Sequence, residues 1–402
     1  MKDIFIKDII VYTTNLTGKN LVVVKVLTSE EGLYGVGCAT FAYRCKAVAN
    51  VIEAYLRPLV LGRNVDDIED LWHLMQYNAY WRNGPIIGNA ISGIDMALWD
   101  IKGKRAGLPL YSLFGGKVRK GVPIYRHADG KTLEEVGKNI KKLIEQKVDH
   151  IRIQWGVYGG QSENLNLPKG ALEGDYFSPT QYVNDTLTLF KYVRENFGYD
   201  IKLIHDSHER LSPIEAIAFA KKLEQYHPFF LEDVLSPENG EWLKQLRAQT
   251  TTPIAMGELF NNPKEWDYLI TNRLIDFVRV HISQIGGITP ARKLAIFAEQ
   301  FGIKTAWHGP SDVSPIGHAA NIHLGLSSHN LGVQEWAELM DSPILKEAFP
   351  GMPTIENGYL YISDKPGLGI DINEELIKKY PAKDDVVEWT QTRYPDGTMC
   401  TP

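Results

Sequence analysis

The sequence predicts an α/β protein, a closed parallel TIM-like barrel preceded by a smaller α+β domain. Three observations lead there. Three short apolar runs, IKLIHDSH, PFFLEDV and PIAMGEL, each carry an acid at or near the end, and Asp206, Glu232 and Glu258 stand 26 residues apart, twice over. That interval is about what one strand, loop, helix and return loop of a βα unit require. From about residue 121 onward, β-branched apolar runs alternate with helical periodicity, whereas the first 120 residues read as strands followed by helices.

In chain order, Ile4 to Tyr12 and Leu21 to Leu27 are apolar and β-branched and read as strands. Gly32, Gly35 and Gly37 punctuate a turn and a third strand running into CATFAYR. Helical patterns follow in AVANVIEAYLRPLV, DDIEDLWHLMQY and GNAISGIDMALWDIKGKRAG. Asn64 is the expected N-cap before VDDIED. Barrel strands are expected at 123–128, 150–156, 201–208, 228–234, 253–259, 277–283, 303–308 and 331–336. Helices such as LEEVGKNIKKLIEQ, SPIEAIAFAKKLEQ and ARKLAIFAEQFG fit between them. The domains are therefore drawn as 1–120, an α+β domain completed by the charged segment 371–402, and 121–370, the barrel. A doubly wound sheet is disfavoured because no G-x-G-x-x-G opens a helix and no Walker sequence occurs. One connection, VYGGQSENLNLPKGALEGDYFSPTQY, is long for a compact domain and reads as a lid or an interface arm.

Composition narrows the function classes. A hydrophobic content of 44% and charged content of 23% are those of an ordinary globular protein. The formal net charge of -6 leaves no footprint for nucleic acid and no basic membrane face. Cys38, Cys45 and Cys400 form no CxxC and no Cys-His metal spacing, which fits a reducing compartment. The N-terminus lacks a signal-peptide h-region, so the expected location is cytoplasmic and the sequons at Asn15 and Asn184 are chance matches.

Barrel active sites lie at the C-terminal ends of the strands. Three carboxylates meeting there suit a divalent cation of the magnesium type. Arg152 and Gln154 share one face of the second barrel strand by period two, and His208 follows Asp206 by the same period. His308 ends the seventh strand, Glu335 the eighth, and His127 the first. Trp307 is placed to wall a pocket, with core packing as its plainer reading. Asp233 should point away from Glu232 if the strand stays extended. His318 and His323 lie five residues apart, so their rings do not share a helix face and they read as structural. A cation held by acids with imidazoles around it suits abstraction of a proton α to a carboxylate, the charge being held on an enediolate, followed by loss of a β-hydroxyl. Metal-assisted phosphoester or amide hydrolysis is the competitor.

The chain resembles the enolase superfamily through GNAISGIDMALWDIKGKRAGLPLYSLFGG and the acids Asp206, Glu232 and Glu258. More narrowly, YRHADG, HDSHERLSPIEA, FFLEDVLSPEN, AMGELFNN, IGGITPARKLA, WHGPSDVSP and GVQEW look like the mannonate dehydratase branch, which includes starvation-sensing proteins. The resemblance implies a capping domain over a (β/α)7β barrel, Mg2+, and dehydration of a sugar acid to a 2-keto-3-deoxy acid, in a homo-oligomer. It implies Asp206, Glu232 and Glu258 as metal ligands and His208 as the acid that assists departure of the 3-hydroxyl. Arg152 falls where an arginine partners a tyrosine base, and His127, His308 and Glu335 fall at substrate-contacting positions. The second strand has no Lys-x-Lys, and His281 stands near the place of the acid in a His-Asp dyad. Two positions depart from the branch: Asn164 stands near the place of the tyrosine base, with Tyr158 and Tyr176 at other offsets, and Ala42 where an asparagine binds substrate. His308 is then the expected base, with weak turnover of mannonate and D-gluconate as a candidate substrate. The rival reading is a sugar-acid-binding or regulatory protein on a retired scaffold.

Overall fold

A computed structural model describes residues 3–156, 165–384 and 392–400. Tyr158 and Asn164 lie outside the described residues. Strands β1 (Ile6–Thr14), β2 (Leu21–Thr28) and β3 (Tyr34–Cys38) form an antiparallel meander in the order β1-β2-β3, with Tyr12 opposite Val23 and Val24 opposite Gly37. The expected barrel strands are all present: β4 (Val122–Gly130), β5 (His150–Trp155), β6 (Lys202–Asp206), β7 (Phe230–Glu232), β8 (Ile254–Met256), β9 (Phe277–Val278), β10 (Lys304–Trp307) and β11 (Leu331–Glu335). They order sequentially from β4 to β11 and β11 also pairs with β4, a parallel eight-stranded barrel. Antiparallel β12 (Thr354–Glu356) and β13 (Tyr359–Tyr361) extend it beside β4.

By contact density the chain forms two compact units. One comprises Met1–Pro123, Leu259–Lys264 and Val280–Val386. Its core is built on the helix Pro85–Ala106, which starts with Pro at its first position and ends at Gly107 in the left-handed region, φ 67°. This helix is buried nearly all round, so its stretch GNAISGIDMALWD reads as a core helix rather than an amphipathic one. The meander lies so close to it that a Cβ on Gly37 would overlap the Gly93 carbonyl. Asp100, fully buried on the same helix, accepts from Val36 N (3.0 Å), Leu368 N (2.8 Å) and Lys104 Nζ (2.7 Å). Asp95 accepts from Thr289 N (3.0 Å) at the start of the helix Ile288–Gln300, tying the two helices together. Asn64 does not cap the next helix. The N-cap of Ile68–Tyr77 is Asp67, and the Asn64 side chain instead accepts from Asp66 N in a local turn.

The other unit comprises Ile124–Glu258, Glu265–Arg279 and Val387–Pro402. It holds most of β4 and all of β5 to β9 in consecutive parallel register, packed around Ile151, Leu203, Ile204, Phe230 and Leu231. The tail expected to complete the first domain as one piece is shared between the units. Glu374 bonds Tyr12 and Lys25, and Thr14 Oγ1 donates to Tyr380 O (2.7 Å), in the first unit. Residues 392–400 instead lie against the loop before Pro179–Phe197, where Phe177 N donates to Arg393 O (2.7 Å). The main-chain groups on either side of Tyr176, Asp175 O and Phe177 N, both pair with Arg393, which the charged composition of the tail does not announce. No helix among the described residues is long and apolar enough to cross a membrane.

Candidate active site

Parallel register sets the first two acids side by side. Asp206 ends β6, Glu232 ends β7, and the two are direct partners across the strands. Both are buried, with 2% and 0% of their surface exposed. The third acid sits differently. Glu232 lies opposite Ala255, β8 stops at Met256, and Gly257 takes φ 139°, so Glu258 stands beyond the strand end and is half-buried. The ligand oxygens of Asp206, Glu232 and Asp233 all lie within 4.8 Å of one another.

Asp233 corrects the alternation argument. Its φ is 37°, so the chain leaves the extended conformation immediately after Glu232, and both acids reach the same cluster. The turn is held by Asp233 N donating to Ala255 O (2.9 Å), while Asp233 Oδ1 accepts from Gly257 N (3.1 Å). Burial pushes the Asp233 carboxyl well above its ordinary range, and the charge of Glu258 adds to that, against Arg279. His208 and Glu209 also carry positive φ, 45° and 57°, so strained backbone gathers around the acids.

Basic side chains close the cluster. Arg152 Nη1 donates to Asp206 Oδ2 (3.0 Å), and His208 Nε2 lies 3.0 Å from the same oxygen. His208 N also donates to Asp206 Oδ1 (3.0 Å). Burial alone would raise the Asp206 carboxyl; His208, Arg152 and Arg279 together outweigh it and hold it far below the usual carboxylate range. Sequence reasoning missed Arg279. Its guanidinium, 1% exposed, meets Glu258 (2.6 Å), Glu232 (2.7 Å) and, at 3.7 Å, Asp233. Its Nε (3.1 Å) and Nη2 (2.9 Å) also donate to the Tyr125 hydroxyl, which bonds Glu232 (3.1 Å). The available signal was an arginine inside the apolar run DFVRVHI, where a charge has to find a partner. Glu209, also missed, is pushed up to about 8 by burial and by Glu238, Glu258 and Asp206.

Gln154 is buried and its amide oxygen has no hydrogen-bond partner among the described residues, while His127 is half-buried with its ring 6.0 Å from Tyr125. The remaining candidates belong to the first unit. His308 Nε2 lies 3.9 Å from Glu335 Oε2, which accepts from Gly309 N (3.0 Å), and the His281 ring stands 5.2 Å from that of His308. Trp307 is fully buried. His318 and His323 are engaged separately, His318 with Gln334 (3.3 Å) and His323 with Tyr111 N (3.2 Å) and Leu368 O (3.1 Å), as their structural reading expects.

A parallel barrel carrying buried acids at its strand ends, with an antiparallel N-terminal meander, defines the enolase superfamily, to which this chain belongs. Residues 8–115 match the mandelate racemase/muconate lactonizing enzyme N-terminal domain and residues 135–376 the enolase C-terminal domain-like family. Relatives along the full length of both chains are D-galactonate dehydratase family members from Enterocloster bolteae, 52% identical over 406 residues, and Enterococcus gallinarum, 49% identical over 402. The chain is thus a D-galactonate dehydratase family protein, a hydro-lyase in reaction class. A crystal structure of an enolase from Pantoea ananatis with bound D-gluconate and Mg superposes with TM-score 0.96 at 49% identity, covering 99% of this chain and 100% of that one. A putative dehydratase from Zymomonas mobilis gives TM-score 0.82 at 26% identity over 93% and 98%. The Pantoea ananatis structure holds Mg, and the cluster of buried hard oxygen donors in this chain fits such a cation.

Proposed function

We propose that the protein dehydrates an aldonic acid of the D-gluconate type, and D-mannonate only weakly, to a 2-keto-3-deoxy sugar acid. The carrying observation is the joint hold of Arg152 and His208 on Asp206 beside the acid cluster. The D-gluconate bound in the Pantoea ananatis enolase supports the substrate class. The motifs around YRHADG and HDSHER support a place in the mannonate dehydratase branch, and Ala42 in place of an asparagine supports weak mannonate turnover.

Asp206, Glu232 and Glu258 would hold the metal. Asp233 is the less suitable third ligand, because one of its oxygens already accepts from Gly257 and burial favours its neutral form. When bound, Mg2+ offsets the negative charge that grows on the substrate carboxylate as the C2 proton leaves. His308 takes that proton, with Glu335 orienting the ring. His208, anchored through Asp206, delivers a proton to the departing C3 hydroxyl. Water leaves, and the enol so formed takes up a proton at C3 to become the 2-keto acid. Arg152 orients Asp206, and His127, Gln154 and Trp307 bind or wall the sugar acid. The barrel would span 121–370 and the capping domain 1–120 with the first part of segment 371–402, in a cytoplasmic homo-oligomer. Cys38 and Cys45, buried and outside any disulfide, support a reducing compartment.

The test is 2-keto-3-deoxy acid formation from D-gluconate, D-mannonate and D-galactonate with Mg2+. Product from D-gluconate that falls about 100-fold or more in His208→Asn is expected. D-gluconate that stabilises the protein without any product would favour the binding-protein reading instead.

A further inference from the structure

A cavity of about 590 Å3 opens in the second unit, lined by Arg194, Tyr199, Ile201, Lys202, His227 and Phe229. Ile201 and Lys202 stand at the start of β6, and Phe229 immediately precedes β7. The acids Asp206 and Glu232 end those same strands. The cavity therefore belongs to the N-terminal ends of the strands, away from the acid cluster. Its volume is within the range of small-molecule sites, about 300–1,000 Å3.

The charge accounting there is incomplete. Arg194 is only 6% exposed, and its guanidinium donates to four main-chain carbonyls: Tyr226 (2.8 Å), Gly198 (3.0 Å), Ile201 (2.9 Å) and His227 (2.9 Å). Carbonyl dipoles satisfy hydrogen bonds but carry no countercharge. Among the described residues, no carboxylate acts on Arg194. An arginine cannot shed its proton to escape burial, so it calls for an anion. The other cation of the lining is already paired: Lys202 meets Asp149 (2.5 Å), which also meets His150 Nδ1 (2.6 Å). Of the two lining cations, Arg194 is the one held by carbonyls and not by a carboxylate.

The walls are flat and apolar. Tyr199 lies over the Arg194 guanidinium at 4.7 Å and meets the His227 ring edge-on at 5.8 Å, while Phe229 packs against His150 at 4.6 Å. Aromatic faces beside a cation suit a planar or short apolar body carrying one anionic group.

We propose that this cavity is a second ligand site, distinct from the acid cluster, for a small organic anion whose carboxylate or phosphate offsets Arg194 while its body stacks on Tyr199 and Phe229. The test uses the full chain with Mg2+ and two probes, benzoate and phenyl phosphate, with benzyl alcohol as neutral control, followed by calorimetry and ligand-observed NMR. Saturable binding of either anion at millimolar concentration or below is expected, with benzoate alone assigning a carboxylate and phenyl phosphate alone a phosphate. Tyr199→Glu, at a side chain 58% exposed and therefore tolerant of substitution, places an acid at the cavity and should weaken binding at least about tenfold. Lys202→Gln should weaken it less, and dehydration without the probe should stay at the wild-type rate in both. Failure of both anions to bind at about 10 mM, equal binding of benzyl alcohol, or undiminished binding in Tyr199→Glu would overturn the proposal.

Discussion

Arg279→Met isolates the electrostatic work done within the acid cluster. The wild-type guanidinium spans Glu232 at 2.7 Å and Glu258 at 2.6 Å and bonds the Tyr125 hydroxyl, with 1% of the residue exposed. Methionine retains much of the stem's packing, so the loss is mostly charge. Removing one partner of a buried ion pair costs about 3–5 kcal/mol, because the remaining carboxylates lose their countercharge without regaining water. That is a large part of the roughly 5–15 kcal/mol by which a typical protein is stable. Magnesium should return some of it. A divalent cation about 6 Å from one additional uncompensated carboxylate gains roughly 5–6 kcal/mol of Coulomb attraction at an effective dielectric constant near 20. Affinity for the metal should therefore rise in the variant even as its metal-free stability falls. Urea unfolding in EDTA and in saturating Mg2+ reads both effects. The expected result is a deficit of about 3–5 kcal/mol in EDTA that narrows by at least about 1 kcal/mol with Mg2+. A deficit below about 1 kcal/mol, or one of equal size in both buffers, would refute the reasoning.

Two other perturbations probe the fold around the site. Asp95, fully buried, has its carboxyl pushed up to about 7 by burial, against the bonds from Thr289. The folded protein holds that proton more tightly than the unfolded chain, so the group's contribution is complete below its ordinary value of 3.8 and is lost as pH rises through about 7. Asp95→Asn removes this dependence: the stability of the variant relative to wild type should rise between those limits in pH-dependent urea unfolding, and parallel curves would contradict it. Gly37→Ala would drive its methyl into the Gly93 carbonyl and should cost about 1–3 kcal/mol or more; a variant with an unchanged urea midpoint would show that the meander and the helix Pro85–Ala106 are not in the close approach described.

Much of the architecture was legible because barrel strands and helices announce themselves by separate periodicities. All eight barrel strands fall where apolar runs stand, and Asp206 and Glu232 prove to be direct register partners. The limits were local. Equal spacing in sequence does not mean equal height on the barrel: β8 ends two residues before Glu258, which is left beyond the strand. Period-two alternation failed at Asp233 because it assumes an extended strand, and a residue at φ 37° is not on one. Asn64 has the chemistry of an N-cap, but its oxygen is taken by Asp66 N three residues too early. Arg279 shows the opposite case, where the residue was visible but its role required knowing that β8 and β9 are neighbours, with Arg279 N bonded to Met256 O (2.9 Å).

The central claim is that the acids at the ends of β6, β7 and β8 hold one divalent cation. Titration with Mn2+, monitored by electron paramagnetic resonance, counts such an ion directly and gives its affinity. One tightly held Mn2+ per chain is expected in the wild type, competed by Mg2+, with affinity reduced at least about tenfold in Asp206→Asn, Glu232→Gln and Glu258→Gln but little changed in Asp233→Asn. Undiminished Mn2+ binding in Asp206→Asn and Glu232→Gln would contradict the account.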